Sequence, residues 1–215
     1  MSEPTLLIVA KAPVPGLAKT RIAATIGNAA AADLAAAALL DTLTTAIEVG
    51  WPVVVAMTGD LGQAARADQI ASALAGCRVI SQRGGSLGER LAHAHVDADV
   101  GRGVVQVGMD TPQLGVSDYL AAGDALRSGF PVIGPAADGG WWLLGLADSA
   151  EAHGLKRVAM SQGDTGTQTE DALGGEVVRL RVVRDMDTWD DALAIAKESR
   201  TSRLAHAVRN VEVAA

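Results

Sequence analysis

Apolar positions along the chain come in short blocks of strand length, separated by longer blocks of helical length. Residues 5–10 form a continuous apolar run, the signature of a strand buried on both faces of a parallel sheet. Residues 27–48 are dominated by Ala and Leu with Asp33 and Asp41 sparse among them, and Gly50 follows, so a helix packed on the sheet is expected. Residues 52–57 give the second strand. Asp60 stands where it would cap a helix running to about Leu74, and residues 78–81 read as a weaker third strand. The run Val104-Val105-Gln106-Val107 is the next strand, followed by a helix from a Ser117 cap to about Arg127. Residues 131–135, 141–146 and 176–183 complete a set of about seven strands. The segment 159–171 reads as a polar loop or a capped helix start, and a helix covers 189–198 with a shorter one in the tail. Strands separated by helices predict an α/β fold, a mostly parallel sheet covered on both faces, in one domain over 1–215.

The candidate chemistry stands at strand exits. The strand at 104 runs into Gly108-Met109-Asp110-Thr111-Pro112, and the one at 131 breaks at Ala136-Ala137-Asp138-Gly139-Gly140. Carboxyl ends of strands in open α/β sheets are where ligands bind, so two acids at two such ends describe a cleft. Either acid taken alone also suits a turn or a helix cap. The third exit, Lys11 to Arg21, is a loop restricted by two prolines and a glycine that holds Lys11, Lys19 and Arg21, and no further Lys or Arg occurs before Arg66. Such a cluster suggests an anion, most simply a phosphate; the alternative is pairing of Lys19 and Arg21 with acids of a neighbouring element. The loop is neither a Walker A motif nor a dinucleotide fingerprint: Ala18 precedes the lysine, Pro13 and Pro15 lack an N–H, and the glycine spacing is wrong. The Gly-rich stretch 82–91 opens a helix with Ser86 as cap and can bring backbone N–H groups, Gly88 among them, near a ligand. Asp185, Asp187 and Thr188 lie at a further strand exit, where Asp187 or Thr188 also fits as a helix cap. Trp141 and Trp142 point to opposite sides of their strand, so one enters the core while the other walls the cleft or packs on the second face. His93 and His95, two apart on a helix, cannot form an intrahelical metal pair and read as solvated or capping.

Composition narrows the ligand. Aromatics are only 3% of a chain that is 49% hydrophobic, so the core is built from Ala, Val and Leu. A net charge of −7 offers no field for a nucleic-acid polymer and favours a small molecule. The lone Cys77 has no disulfide partner and reads as a buried thiol, and no Cys/His set has zinc spacing. No basic segment precedes the first apolar run, and Asp33 and Asp41 interrupt the alanine-rich one; neither a signal peptide nor a membrane span is expected, and a cytoplasmic protein is. A homodimer is compatible with the sequence.

Five segments occur in the order Lys11-Ala-Pro-Val-Pro-Gly-Leu-Ala-Lys-Thr-Arg21, Leu87-Gly-Glu-Arg-Leu91, Gly108-Met-Asp-Thr-Pro112, Pro135-Ala-Ala-Asp-Gly-Gly-Trp141 and Asp185-Met-Asp-Thr188. In this order, over about residues 5 to 195, the chain resembles the bacterial glycosyltransferase-A-like family, one branch of which makes arsenosugars. The segment Ala18-Lys19-Thr20-Arg21 is also similar to phospholactate guanylyltransferase, and the layout to molybdenum-cofactor guanylyltransferase. The resemblance implies a three-layer α/β/α sandwich of the nucleotide-diphospho-sugar transferase (GT-A) type. It implies transfer of a sugar from a nucleoside-diphosphate sugar to a small acceptor with Mg2+ or Mn2+; the alternatives are nucleotidyl transfer from a nucleoside triphosphate and non-catalytic nucleotide binding. Asp110 is then the main metal ligand with Asp187 or Asp185 as the second. Lys19 and Arg21 bind phosphates, Leu7 to Ala12, with Ala10 and Lys11 among them, line the base and ribose pocket through backbone groups, and Asp138 orients or deprotonates the acceptor. Thr111, Gly139, Gly140 and Trp141 border the substrate. Where the arsenosugar branch has Trp-Ser-Thr, this chain has Met160-Ser161-Gln162.

Overall fold

The computed structural model describes residues 3–214. Its centre is one seven-stranded sheet: β1 (Thr5–Lys11), β2 (Val53–Thr58), β3 (Arg78–Ser81), β4 (Val104–Gly108), β5 (Val132–Pro135), β6 (Trp141–Leu146) and β7 (Val178–Arg179), in the order β3-β2-β1-β4-β6-β5-β7. Only β6 runs antiparallel, to both β4 and β5; every other pairing is parallel. The remaining six strands therefore end at one edge. The chain reverses its winding between β1 and β4, which are paired, and such a reversal opens a crevice at that edge.

Helices cover both faces. α2 (Asn28–Glu48), α3 (Ala67–Leu74) and α5 (Val116–Leu126) pack on one, where Leu39, Leu43, Ile70 and Tyr119 meet Leu6, Ile8, Val55 and Val107. α4 (Leu87–Ala98) covers the other, with a 3-10 segment (Ser149–Arg157) and α6 (Thr165–Leu173) beside it. α1 (Thr20–Ile26), α7 (Trp189–Glu198) and α8 (Arg203–Ala214) form an outer layer on α2. This places α2 between the sheet and a second helical layer, and explains why it is apolar nearly all round. It is long and apolar enough to cross a membrane on length and composition, contrary to the expectation from Asp33 and Asp41, but most of it is buried in this fold. Both acids are used internally. Asp33 takes a bidentate bond from Arg66 at 2.7 Å, and the buried Asp41 accepts from the Arg203 and Leu204 amides, capping α8 from outside.

Several local expectations change. The helix expected from Asp60 is broken: Asp60 caps a 3-10 turn (Leu61–Gln63), and α3 starts only after Arg66, whose φ is 53°. Gly115 rather than Ser117 precedes α5, its N–H bonded to Asp118. Of 176–183, only Val178 and Arg179 join the sheet, with Val183 bridging to Ala136. A separate helix, α1, stands ahead of α2, with Gly27 at φ 84° between them. Ser86 caps α4 with a reciprocal Glu89 bond, as the sequence implied. His95 is neither solvated nor a cap: it is fully buried between α4 and the sheet. Cys77 is only half-buried.

Candidate active site

Acids and cations from distant parts of the chain converge at the shared strand edge. β1 ends in Lys11, whose amide donates to Met109 Sδ and whose ammonium is tied to the Leu17 carbonyl at 2.7 Å. The loop then turns through Lys19, a non-glycine residue in left-handed conformation at φ 48°, at the start of α1. That turn sends the Lys19 side chain inward, where Nζ lies 3.0 Å from Asp110 Oδ2 and 3.1 Å from Asp187 Oδ1. Burial pulls the Lys19 pKa down, but Asp110 and Asp187 outweigh it and the net shift is upward. Arg21, largely exposed, meets the other Asp187 oxygen at 3.0 Å.

Both pairings realise the acid-partner alternative, and the partners are themselves the expected site acids. Asp110 follows β4, and its carbonyl accepts from the Met186 amide at 2.9 Å, fastening the segment after β7 beside the end of β4. Asp110 Oδ1 is buried without a hydrogen bond. Thr188 caps α7 through the Asp191 amide, which leaves Asp185 and Asp187 free of capping duty.

Among the described residues, Asp138, Asp185 and Asp187 form a cluster whose carboxylate oxygens lie within 4.8 Å of one another. Burial, then the charges of Asp138 and Asp187, push Asp185 up to about 6. Crowded hard oxygen donors that repel one another fit a divalent cation such as Mg2+ or Mn2+, and the unpaired Asp110 oxygen lies on the same edge. Asp110, expected as the main ligand, is outside this cluster and is held by Lys19.

Two cavities open here. The larger, about 370 Å3, runs along the α4 side and is lined by Ala10, Lys11, Asp110, Asp138, Gly140, Trp141 and Asp185, among others. The smaller, about 300 Å3, is lined by Lys11, Lys19, Arg21 and Asp187 and shares Lys11, Met109 and Asp110 with the first. Trp141 walls the larger cavity and donates to Thr169, while Trp142 enters the core and donates to the Arg181 carbonyl. Met160, Ser161 and Gln162 form another wall.

Three expected contacts lie elsewhere. Gly88 faces protein: a Cβ there would meet the Leu155 carbonyl at 2.2 Å, so this glycine lets α4 press against the 3-10 segment. Gly139, at φ 90°, gives its space to the Gly163 carbonyl, which a Cβ would meet at 1.9 Å. Thr111 is buried and does not line either cavity. Conversely, Gln82, Arg90 and Gln106 line the larger cavity without having been singled out. A signal for two of them was present, since Arg90 sits inside Leu87–Leu91 and Gln106 is a lone amide among valines.

A family profile described as "Uncharacterized protein conserved in bacteria (DUF2064)" matches residues 39–162, more than half of the chain. No curated protein matches. Among solved structures, the chain is similar to a "putative nucleotide-diphospho-sugar transferase" from Desulfovibrio desulfuricans G20, at 29% identity and TM-score 0.84, covering 99% of this chain and 96% of that one. It shares its fold with the manganese complex of Rv0371C from Mycobacterium tuberculosis H37Rv, at 19% identity and TM-score 0.55, over 91% and 98% of the two chains. The 4-diphosphocytidyl-2C-methyl-D-erythritol synthase from Anaerococcus prevotii DSM 20548 has the same fold at 12% identity and TM-score 0.62, over 98% and 99%. These likenesses agree with the mixed seven-stranded sheet: the chain has the nucleotide-diphospho-sugar transferase α/β fold.

Proposed function

This chain belongs to the bacterial family DUF2064, and on that premise we propose that it is a metal-dependent glycosyltransferase, moving a sugar from a nucleoside-diphosphate sugar to a small acceptor. The observation that carries the reading is the meeting of a cationic cavity and an acid-lined cavity at Asp110. Departure of a nucleoside diphosphate concentrates negative charge, and a site built for it needs fixed positive groups where that charge appears. Lys19 and Arg21 supply them, with Ala10 and Lys11 bordering the nucleoside. Asp185 and Asp187, with Asp110, are the proposed holders of Mg2+ or Mn2+. A divalent cation bound there supplies Lewis-acid stabilisation of the phosphate oxygens.

Asp138 has one oxygen engaged by the Gly140 amide at 2.8 Å and lines the larger cavity, which suits a group that orients or deprotonates an acceptor hydroxyl. Trp141 and Gly140 border that acceptor. Met160, Ser161 and Gln162 wall the same space, so the departure from the arsenosugar branch falls where an acceptor would be chosen, and the acceptor differs from that branch's.

The second reading is nucleotidyl transfer. It is supported by three cations on one loop, enough for a triphosphate, and by the fold shared with the erythritol synthase. Incubation with a panel of nucleotide sugars and nucleoside triphosphates, with Mn2+ and candidate acceptors, separates them: glycosyl transfer releases nucleoside diphosphate, and nucleotidyl transfer releases pyrophosphate. Metal-independent nucleotide binding without turnover of any donor would overturn both.

A further inference from the structure

The larger cavity holds polar groups that the proposed transfer does not use. Arg90, on α4, is half-buried yet forms no ion pair among the described residues, whereas Arg66, the other arginine that is not exposed, is matched to Asp33. Its Nε is buried with no acceptor. Gln106 sits on β4 between Val105 and Val107, is 2% exposed, and its Oε1 is buried without a donor. The fully buried His95 lies against the Gln106 carboxamide as its protein neighbour, without a hydrogen bond of good geometry between them, so the Gln106 oxygen keeps acceptor capacity toward the cavity. A buried donor and a buried acceptor without partners are costly, and here both line one cavity of about 370 Å3 beside Leu87, Leu91 and Val9. Gln82 joins them with its amide direction set: Nε2 donates to the Ala10 and Ala56 carbonyls at 2.8 and 2.9 Å, so both N–H bonds are used and only the acceptor oxygen remains.

Apolar walls with a donor-only guanidinium and carboxamide acceptors describe a slot for a planar heterocycle with a hydrogen-bonding edge. Resting on the nucleotide reading above, we propose that Arg90 and Gln106 select the nucleobase, and that the edge they take is a lactam, a carbonyl beside a ring N–H, as in guanine and uracil. A carbonyl oxygen has two lone pairs for the guanidinium fork, and the ring N–H answers an amide oxygen. Adenine and cytosine put an amino donor in the carbonyl's place, which repels a guanidinium, and a ring-nitrogen acceptor in place of the N–H, which an amide oxygen cannot serve.

The test is calorimetric binding of GDP, UDP, ADP, CDP and pyrophosphate, with Mg2+, to the wild-type chain, Arg90→Met and Gln106→Leu. The wild type binds GDP or UDP about tenfold more tightly than ADP and CDP, the scale of one charge-assisted bond to a buried group. Each variant loses that preference, bringing the four nucleotides within about threefold of one another, and keeps its pyrophosphate affinity. Arg90→Lys restores part of the preference. Thermal melts confirm that Gln106→Leu is folded, and Arg90→Met, half-buried on a helix, provides the independent variant. Equal wild-type affinities for the four bases overturn the inference, as does an unchanged preference in both variants, the result expected if Arg90 serves an acidic acceptor. A wild-type chain that binds none of the nucleotides overturns the transferase reading as well; nucleotide binding with the preference intact in the variants overturns this inference alone.

Discussion

Lys19 Nζ lies 3.0 Å from Asp110 Oδ2, and the same ammonium reaches Asp187 at 3.1 Å. One lysine, in left-handed backbone conformation, thus ties the loop after β1 to the ends of two other segments. An ammonium between two carboxylates stands where a divalent cation would compete with it for Asp110 and Asp187, and where a phosphate would compete with those acids for the ammonium.

Lys19→Met should raise Mn2+ affinity measured without nucleotide, because Asp110 and Asp187 are released from their internal cation. The same substitution should weaken pyrophosphate binding by about 1.5 to 3 kcal/mol, the range for a hydrogen bond to a charged group. Titration calorimetry with each ligand alone reads both effects, and unchanged values for the two would remove Lys19 from the site.

Asp110→Ala should abolish the metal-dependent part of nucleoside diphosphate binding while leaving the melting transition cooperative, since Asp110 reaches Met186 through its backbone, not its side chain. Equal affinities with and without Mg2+ in both proteins would count against Asp110 as a metal residue.

Asp185, pushed up to about 6 from 3.8 by burial and by Asp138 and Asp187, keeps a proton in the folded chain that the unfolded chain has lost. Between about pH 4 and pH 6 the folded state therefore binds more protons, and its stability falls as pH rises through that window. With metal chelated, Asp185→Asn should be more stable than wild type by about 1 kcal/mol at pH 7, a figure reduced for the half-exposed position, with the gain gone below about pH 4. Urea unfolding across that range checks the sign.

His95 has the opposite sense. Burial holds it neutral, with its pKa lowered from 6.5 to about 4, so below pH 6.5 the unfolded chain takes up a proton that the folded one refuses. Stability contributed by this residue is full above pH 6.5 and is lost as pH falls toward about 4, by up to about 3 kcal/mol. His95→Leu should flatten that slope in a denaturation series.

Local pattern made much of the scaffold legible. Residues 78–81, 141–146 and 189–198 are the expected elements to the residue, because short apolar runs of strand length, apolar helical spacing and the cap at Thr188 are local effects. Expectations failed where partners lie far off in sequence. Gly88 and Gly139 look like ligand-facing glycines in isolation, and only the positions of Leu155 and Gly163 show that protein carbonyls fill their space. His95 looks solvated in a helix with polar neighbours until α4 is laid on β4.

The order of residues determined that strands alternate with helices, that acids and cations stand at strand exits, and that a parallel sheet with both faces covered would form, since these follow from periodicity and backbone preference along the chain. The tertiary structure alone decided that β6 runs antiparallel between β4 and β5, that Asp138, Asp185 and Asp187 share one space while Asp110 is held by Lys19, and that Arg90 and Gln106 face one cavity. Carboxylates find their partners through distance and burial in three dimensions, and neither quantity is written in the spacing of residues along the chain.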